Sequence, residues 1–224
     1  MKRVAITTDR FDVAAPWFAA RGLLPVRLPC IRVETAPDEV LGQARAEAES
    51  ADLLLITSSR TVDLLWGDEP IPDVPVAAVG ESTAAAVEEA GGHVRFVGSA
   101  GLRLLAAEMR RELPLGRIVF PRAANSDPDP LRQIRSEGTE IVPFDVYRTV
   151  PIAPGRDPVD AVAFASPSAV EGWLLARRLD GLVVGAIGHT TAVAVTEHRP
   201  VVIPARPSHR ALAEALAQFL EVPV

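Results

Sequence analysis

An α/β fold with parallel sheets is the class this sequence predicts, and three observations carry the prediction. Short apolar runs alternate with amphipathic stretches along nearly all of the 224 residues, the pattern of buried strands joined by crossover helices. The stretch AIGHTTAVAV (186–195) nearly copies AVGESTAAAV (78–87). ADLLLITSSRTVDLL, from Ala51, matches VDAVAFASPSAVEGW, from Val159, in the same register: Asp52 falls on Asp160, Ser58 on Ser166, Gly80 on Gly188 and Thr83 on Thr191, each 108 positions on. Two motifs sharing one offset predict an internal duplication of βα units. A second set, at a slightly larger offset, matches VAITTDR to IVFPRAA and VRLPCIRVE to VPFDVYRTV.

Taken in order, VAITT, LPVRL, DLLLIT, VAAVG, HVRFV, RIVFP, TEIVPFDVY, DAVAFAS, LVVGAIG and PVVIPA read as strands, since each is short, apolar and bounded by turn residues. DEVLGQARAEAES, GESTAAAVEEAGG and SHRALAEALAQFL read as helices, because their apolar residues recur at three and four positions. The chain holds twenty prolines, against about 11 at an average usage of roughly 5%. Most punctuate strand ends. Proline-flanked extended stretches near 29–37 and 146–158 are the expected crossings between two lobes, since proline favours extended backbone in itself and before it.

Composition narrows the function. The net charge of −6 supplies no basic field, so no nucleic-acid partner is expected, and no apolar run approaches the roughly 18 residues that cross a bilayer. One cysteine, Cys30, excludes an internal disulfide. With no charged-then-apolar leader before RVAITT, the expectation is a cytoplasmic protein. His93, His189, His198 and His209 show no metal-ligand spacing with one another or with Cys30, so no metal site is expected. Phosphate-loop, dinucleotide and nucleophile-elbow signatures are all missing. Trp17, Trp66 and Trp173 lie in helical patterns and are expected to pack helices.

In open α/β sheets ligands bind beyond the carboxyl ends of the strands. The residues there are TTDR (7–10), TSSR (57–60), VGEST (79–83), PRAANS (121–126), ASPS (165–168) and IGHTT (187–191). Helix N-termini leave free N–H groups and partial positive charge, while Ser and Thr both cap them and donate to a ligand. Such a rim accepts carboxylates or phosphates without net basic charge. Each hydroxyl has simple helix capping as its alternative role. Tyr147, the only tyrosine, stands in FDVYRT at the second crossing; its phenol suits either proton donation to a departing hydroxyl or hinge packing.

TTDR, DLLLITSSRTV, AVGESTAAAVEEAGG, VPFDVYRT, DAVAFASPSAV, AIGHTTAVAV and RPSHRALAEAL together resemble the uroporphyrinogen-III synthase family across nearly the whole chain. The resemblance implies two flavodoxin-like lobes with parallel sheets, joined by a two-stranded β-ladder. One lobe would combine 1–33 with 152–224 and the other would span 37–146. It implies an enzyme that cyclises hydroxymethylbilane with inversion of the last ring and loss of water, without a metal or organic cofactor. It implies a monomer, with transient contact to hydroxymethylbilane synthase as its only expected protein partner. Tyr147 matches the tyrosine proposed to assist hydroxyl departure, and Thr190 and Thr191 match the ligand-proximal threonine segment. Ser58, Ser59, Thr83 and Ser166 are further candidates from the strand ends, and Arg10 and Arg122 are candidates for pairing with substrate carboxylates. Two residues depart from the pattern: Asp9 places an acid where an anion is expected, and Arg60, in SSRTV, stands where small residues are commoner in the family. The rival reading is a non-catalytic tetrapyrrole- or anion-binding protein on the same fold.

Overall fold

The computed structural model describes residues 1–98, 101–135, 138–195 and 200–220, and its contacts divide the chain into two compact units, Met1–Val33 with Thr149–Val224, and Glu34–Arg148. The chain opens with β1 (Arg3–Ile6), α1 (Phe11–Ala19) and β2 (Leu24–Arg27), then enters β3 (Ile31–Thr35). The middle follows as α2 (Asp38–Glu49), β4 (Leu53–Ile56), α3 (Ser59–Leu65), β5 (Pro75–Val79), α4 (Glu81–Glu89), β6 (His93–Gly98), α5 (Leu102–Met109), β7 (Gly116–Ala123) and β8 (Thr139–Pro151). It closes with β9 (Ala161–Phe164), α6 (Pro167–Leu174), β10 (Val183–Ala186), α7 (His189–Ala194), β11 (Val201–Val202) and α8 (His209–Phe219).

One sheet has the order β11-β10-β9-β1-β2 and the other β3-β8-β7-β4-β5-β6. The first is parallel at every pairing. The second is mixed: β8, β7, β4, β5 and β6 run parallel, and β3 borders β8 at one edge. The architecture is therefore α/β.

Alternation along buried strands explains why each sheet is covered on both sides. Val4 and Ile6 join Phe18, Ala161, Ala163, Leu212 and Leu216 in one core cluster. Ala5, between them, joins Val162, Phe164, Val170 and Trp173 in another, because successive side chains point to opposite faces. In the middle unit Leu53 and Leu55 pack with Ile118, Phe120, Leu105 and Phe96, while Leu54 and Ile56 are also fully buried. Helix α8 buries Leu212, Ala213, Leu216 and Ala217, one stripe at helical spacing.

The offset-matched aspartates do the same work in the two units. Asp52 accepts the Arg117 N–H at 2.7 Å and returns its own N–H to the Arg117 carbonyl at 2.9 Å. Asp160 treats Arg3 identically, at 2.7 and 2.9 Å. Each clamps the start of its strand to the strand beside it.

The stretch 146–158 begins as the last part of β8, which runs unbroken from Thr139 to Pro151 with Pro143 in its interior. Two local features depart from the sequence reading. Pro16 lies inside α1 rather than at a strand end, in a helix held by packing against α8. Trp17 is 44% exposed with the Arg210 guanidinium over its ring, whereas Trp66 and Trp173 are buried as expected of packing residues. Among the described residues no helix is long and apolar enough to cross a membrane.

Candidate active site

In each unit the residues singled out from sequence gather at the carboxyl edge of its sheet, because they follow or end neighbouring parallel strands. In the middle unit Ser58 and Ser59 follow β4, Thr83 follows β5, Arg122 lies near the end of β7 and Tyr147 lies late in β8. In the other unit Arg10 follows β1, Ser166 follows β9, and Thr190 and Thr191 follow β10.

Tyr147 owes its position to an irregularity in the ladder. Strands β7 and β8 keep one register from Gly116↔Thr139 to Arg122↔Asp145, then shift so that Ala123 pairs with Tyr147. One extra residue on a strand turns the side chains beyond it. The Tyr147 carbonyl accepts the Ala124 N–H at 2.8 Å, and the side chain, 8% exposed, lines a surface pocket of about 280 Å³ with Glu34, Thr35, Pro37, Asp145 and Arg148. Both acids there already hold a cation: Arg148 donates to Glu34 at 2.6 Å and Arg122 to Asp145 at 2.8 Å. Arg122 thus enters the site as an ion pair, also lying over the Phe120 ring.

The helix starts behave as backbone capping predicts. Ser58 Oγ accepts the Arg60 N–H at 3.3 Å and Ser166 Oγ accepts the Ala169 N–H at 3.2 Å, which leaves each hydroxyl proton able to donate elsewhere. Ser59 is the first residue of α3. Thr83 and Thr191 are both buried, at 3% and 4% exposure, while Thr190 is exposed. Their glycines differ: Gly80 has φ +87°, open only to residues that tolerate the left-handed region, whereas Gly188 is extended. Thr8 Oγ1 accepts the Arg10 N–H at 3.2 Å and donates to Asp9 at 3.3 Å, so Asp9 is engaged within its own loop. Thr7 Oγ1 donates to the Ala163 carbonyl at 2.7 Å, tying the end of β1 to β9.

Glu34, Asp145 and Arg148 were not singled out from sequence, and Arg60 stood out there only as a departure from the family pattern. Arg60 had a visible signal, since it directly follows the two serines at a strand end; its guanidinium lies over the Tyr147 ring at 6.0 Å. Glu34 and Arg148 are 114 positions apart, and only the folded sheet brings them together. Cys30 is fully buried and its thiol donates to the Leu28 carbonyl at 3.4 Å. Burial pushes that thiol up to about 12, against a smaller lowering by Arg177, so it stays protonated and inert. Among the described residues no three His, Cys, Asp or Glu side chains gather as a metal site; His198 lies outside them.

Taken together, the middle unit's edge offers a phenol, a covering guanidinium, two preformed ion pairs and capped helix starts. That set can orient carboxylates and transfer one proton.

A family model described as uroporphyrinogen-III synthase HemD matches residues 12–214. No curated protein matches the chain in sequence. Among solved structures, the uroporphyrinogen-III synthetase of Helicobacter pylori aligns over 98% of this chain and 99% of its own, with TM-score 0.68 and 20% identity. A mutant uroporphyrinogen III synthase of Thermus thermophilus aligns over 99% and 98%, with TM-score 0.62 and 20% identity. At that identity the two structures speak for the fold, and the family model for the family.

Proposed function

We propose, from the premise that this chain belongs to the uroporphyrinogen-III synthase family, that it binds hydroxymethylbilane and uses Tyr147 as its proton donor. The family's enzyme is a cyclising hydro-lyase of haem biosynthesis. Its substrate is a small molecule, and a rim of helix starts and hydroxyls suits the eight carboxylates of a linear tetrapyrrole.

The observation that carries the reading is the single tyrosine of the chain, set by a ladder irregularity into the wall of a pocket of about 280 Å³. That volume is at the small end for ligand sites and suits one substituted ring of the bilane rather than four. In the proposed reaction the Tyr147 phenol gives its proton to the terminal hydroxyl, which leaves as water as the pyrrole nitrogen pushes out the C–O bond; the pyrrole N–H proton returns to the phenolate, leaving a neutral, electrophilic azafulvene. The substituted carbon of the last pyrrole attacks it to form a spiro intermediate, and fragmentation and re-closure leave that ring inverted. The bilane also closes unaided without inversion, so the protein's main task is to hold one conformation. Thr190, Thr191, Ser58, Ser59, Thr83 and Ser166 supply neutral donors to carboxylates, and Arg10 and Arg122 supply cations.

The two sheets support a duplicated, flavodoxin-like origin: β8-β7-β4-β5-β6 and β2-β1-β9-β10-β11 place sequence-matched strands in the same order. The pairing of β3 with β8 is the natural candidate for the joining ladder. A buried free thiol suits a reducing cytoplasm. A monomer receiving its unstable substrate by transient contact with hydroxymethylbilane synthase completes the reading.

The test is a coupled assay in which hydroxymethylbilane is generated in place and the oxidised porphyrin isomers are separated. The type III isomer should dominate. Only type I, from a folded protein, would replace this reading with that of a tetrapyrrole-binding protein.

A further inference from the structure

We propose that Arg60 is a positioning residue for Tyr147, holding the phenol in the one orientation from which it can donate its proton; the inference rests on the acid role given to Tyr147 above. The Arg60 guanidinium lies 6.0 Å from the centroid of the Tyr147 ring, within reach of a cation–π contact. Three independent features meet at this pair.

Ser58 caps α3 through the Arg60 N–H at 3.3 Å, so the backbone from which the Arg60 side chain departs is fixed by a hydrogen bond. The register shift between Arg122 and Ala123 brings Tyr147 level with Ala123, and such a shift re-aims the side chains beyond it. The third feature is an asymmetry in the repeat. The residue 108 positions beyond Arg60 is Ser168, and the chain has no second tyrosine. Ser58 and Ser166 are both helix N-caps, Ser58 accepting the N–H two residues on and Ser166 the one three residues on, yet the cation occurs only in the segment whose unit carries the phenol.

The physical role follows from geometry. Proton transfer requires the donor within hydrogen-bond reach of the departing oxygen, and a misplacement of about 1 Å can cost on the order of a hundredfold in rate. A planar guanidinium against the ring restricts its rotation, which a flexible ammonium does less well.

Steady-state kinetics of Arg60→Met, Arg60→Lys, Tyr147→Phe and the double variant Arg60→Met/Tyr147→Phe test this. Arg60→Met should lower kcat about ten- to hundredfold with little change in KM, and Arg60→Lys should recover part of the loss. In the Tyr147→Phe background, Arg60→Met should cost nothing further, because the proton it helps to aim is gone. A raised KM with unchanged kcat would overturn the proposal in favour of a carboxylate anchor, and so would an equal loss in both backgrounds. Because the chain has one tyrosine, ring-labelled tyrosine gives a single set of NMR signals that reads the contact without turnover. Arg60→Met should displace those signals in a protein that still melts cooperatively. Unchanged signals would overturn the contact itself, whereas displaced signals in a protein that makes no type III isomer would instead count against the synthase reading.

Discussion

At the residue scale, two glycines show how one substitution changes sign with its surroundings. Gly172 lies within α6, and a Cβ there would meet the Cys30 carbonyl oxygen at 1.9 Å and that of Ile152 at 2.8 Å. Both obstacles are backbone, so neither can swing aside. Gly42 lies within α2 and a Cβ there meets nothing within 4 Å. Gly172→Ala should therefore destabilise by about 2 kcal/mol through overpacking. Gly42→Ala should stabilise by roughly 0.5–1 kcal/mol, since glycine gives up more freedom in a helix than alanine. At about 2–4 °C per kcal/mol for a chain of this size, thermal melts should show opposite shifts. A Gly172→Ala protein melting at or above the native midpoint would contradict the packing described. Neither sign was legible in sequence, because the difference lies in backbone contributed by distant segments.

At the element scale, capping chemistry was legible and its consequences were only partly so. Ser58, Ser166 and Ser208 each accept a helix N–H through their hydroxyls, as Ser before an amphipathic run predicts. The periodic helices α2, α4 and α8 appear where three- and four-residue spacing places them. What resisted reading was β8, whose length and register shift depend on its pairing with β7, and α1, whose internal proline reads locally as a breaker. His209, the first residue of α8, gives this scale its prediction. Burial holds its pKa below the ordinary value of 6.5. The unfolded chain then binds the proton more readily, so stability is complete above about 6.5 and falls as pH drops through that value towards the lowered one. His209→Gln should flatten the fall below about pH 6.5 in urea titrations. An identical pH dependence in the variant would assign the acid sensitivity to other groups.

At the scale of the whole molecule, the βα alternation was enough for the fold class, and the constant offset of 108 pairs Asp52 with Asp160, two residues that clamp strand starts in the same way. The assembly of one unit from both ends of the chain was not readable from periodicity. It depends on β1 settling between β9 and β2, a pairing across 157 positions that local sequence does not encode. The site shows the same division. Strand-end hydroxyls and the lone tyrosine were visible as residues, but Arg60 over the ring and the Glu34–Arg148 pair exist only once the sheet has formed.

The central claim is that this chain makes its ring-inverted product with Tyr147 as proton donor, and the isomer-resolved rate of Tyr147→Phe tests it most directly. General acid catalysis contributes typically 10²–10⁴-fold, so type III formation should fall by at least about a hundredfold while the melting midpoint stays near that of the native protein. A folded Tyr147→Phe protein that forms type III at the native rate would contradict the account.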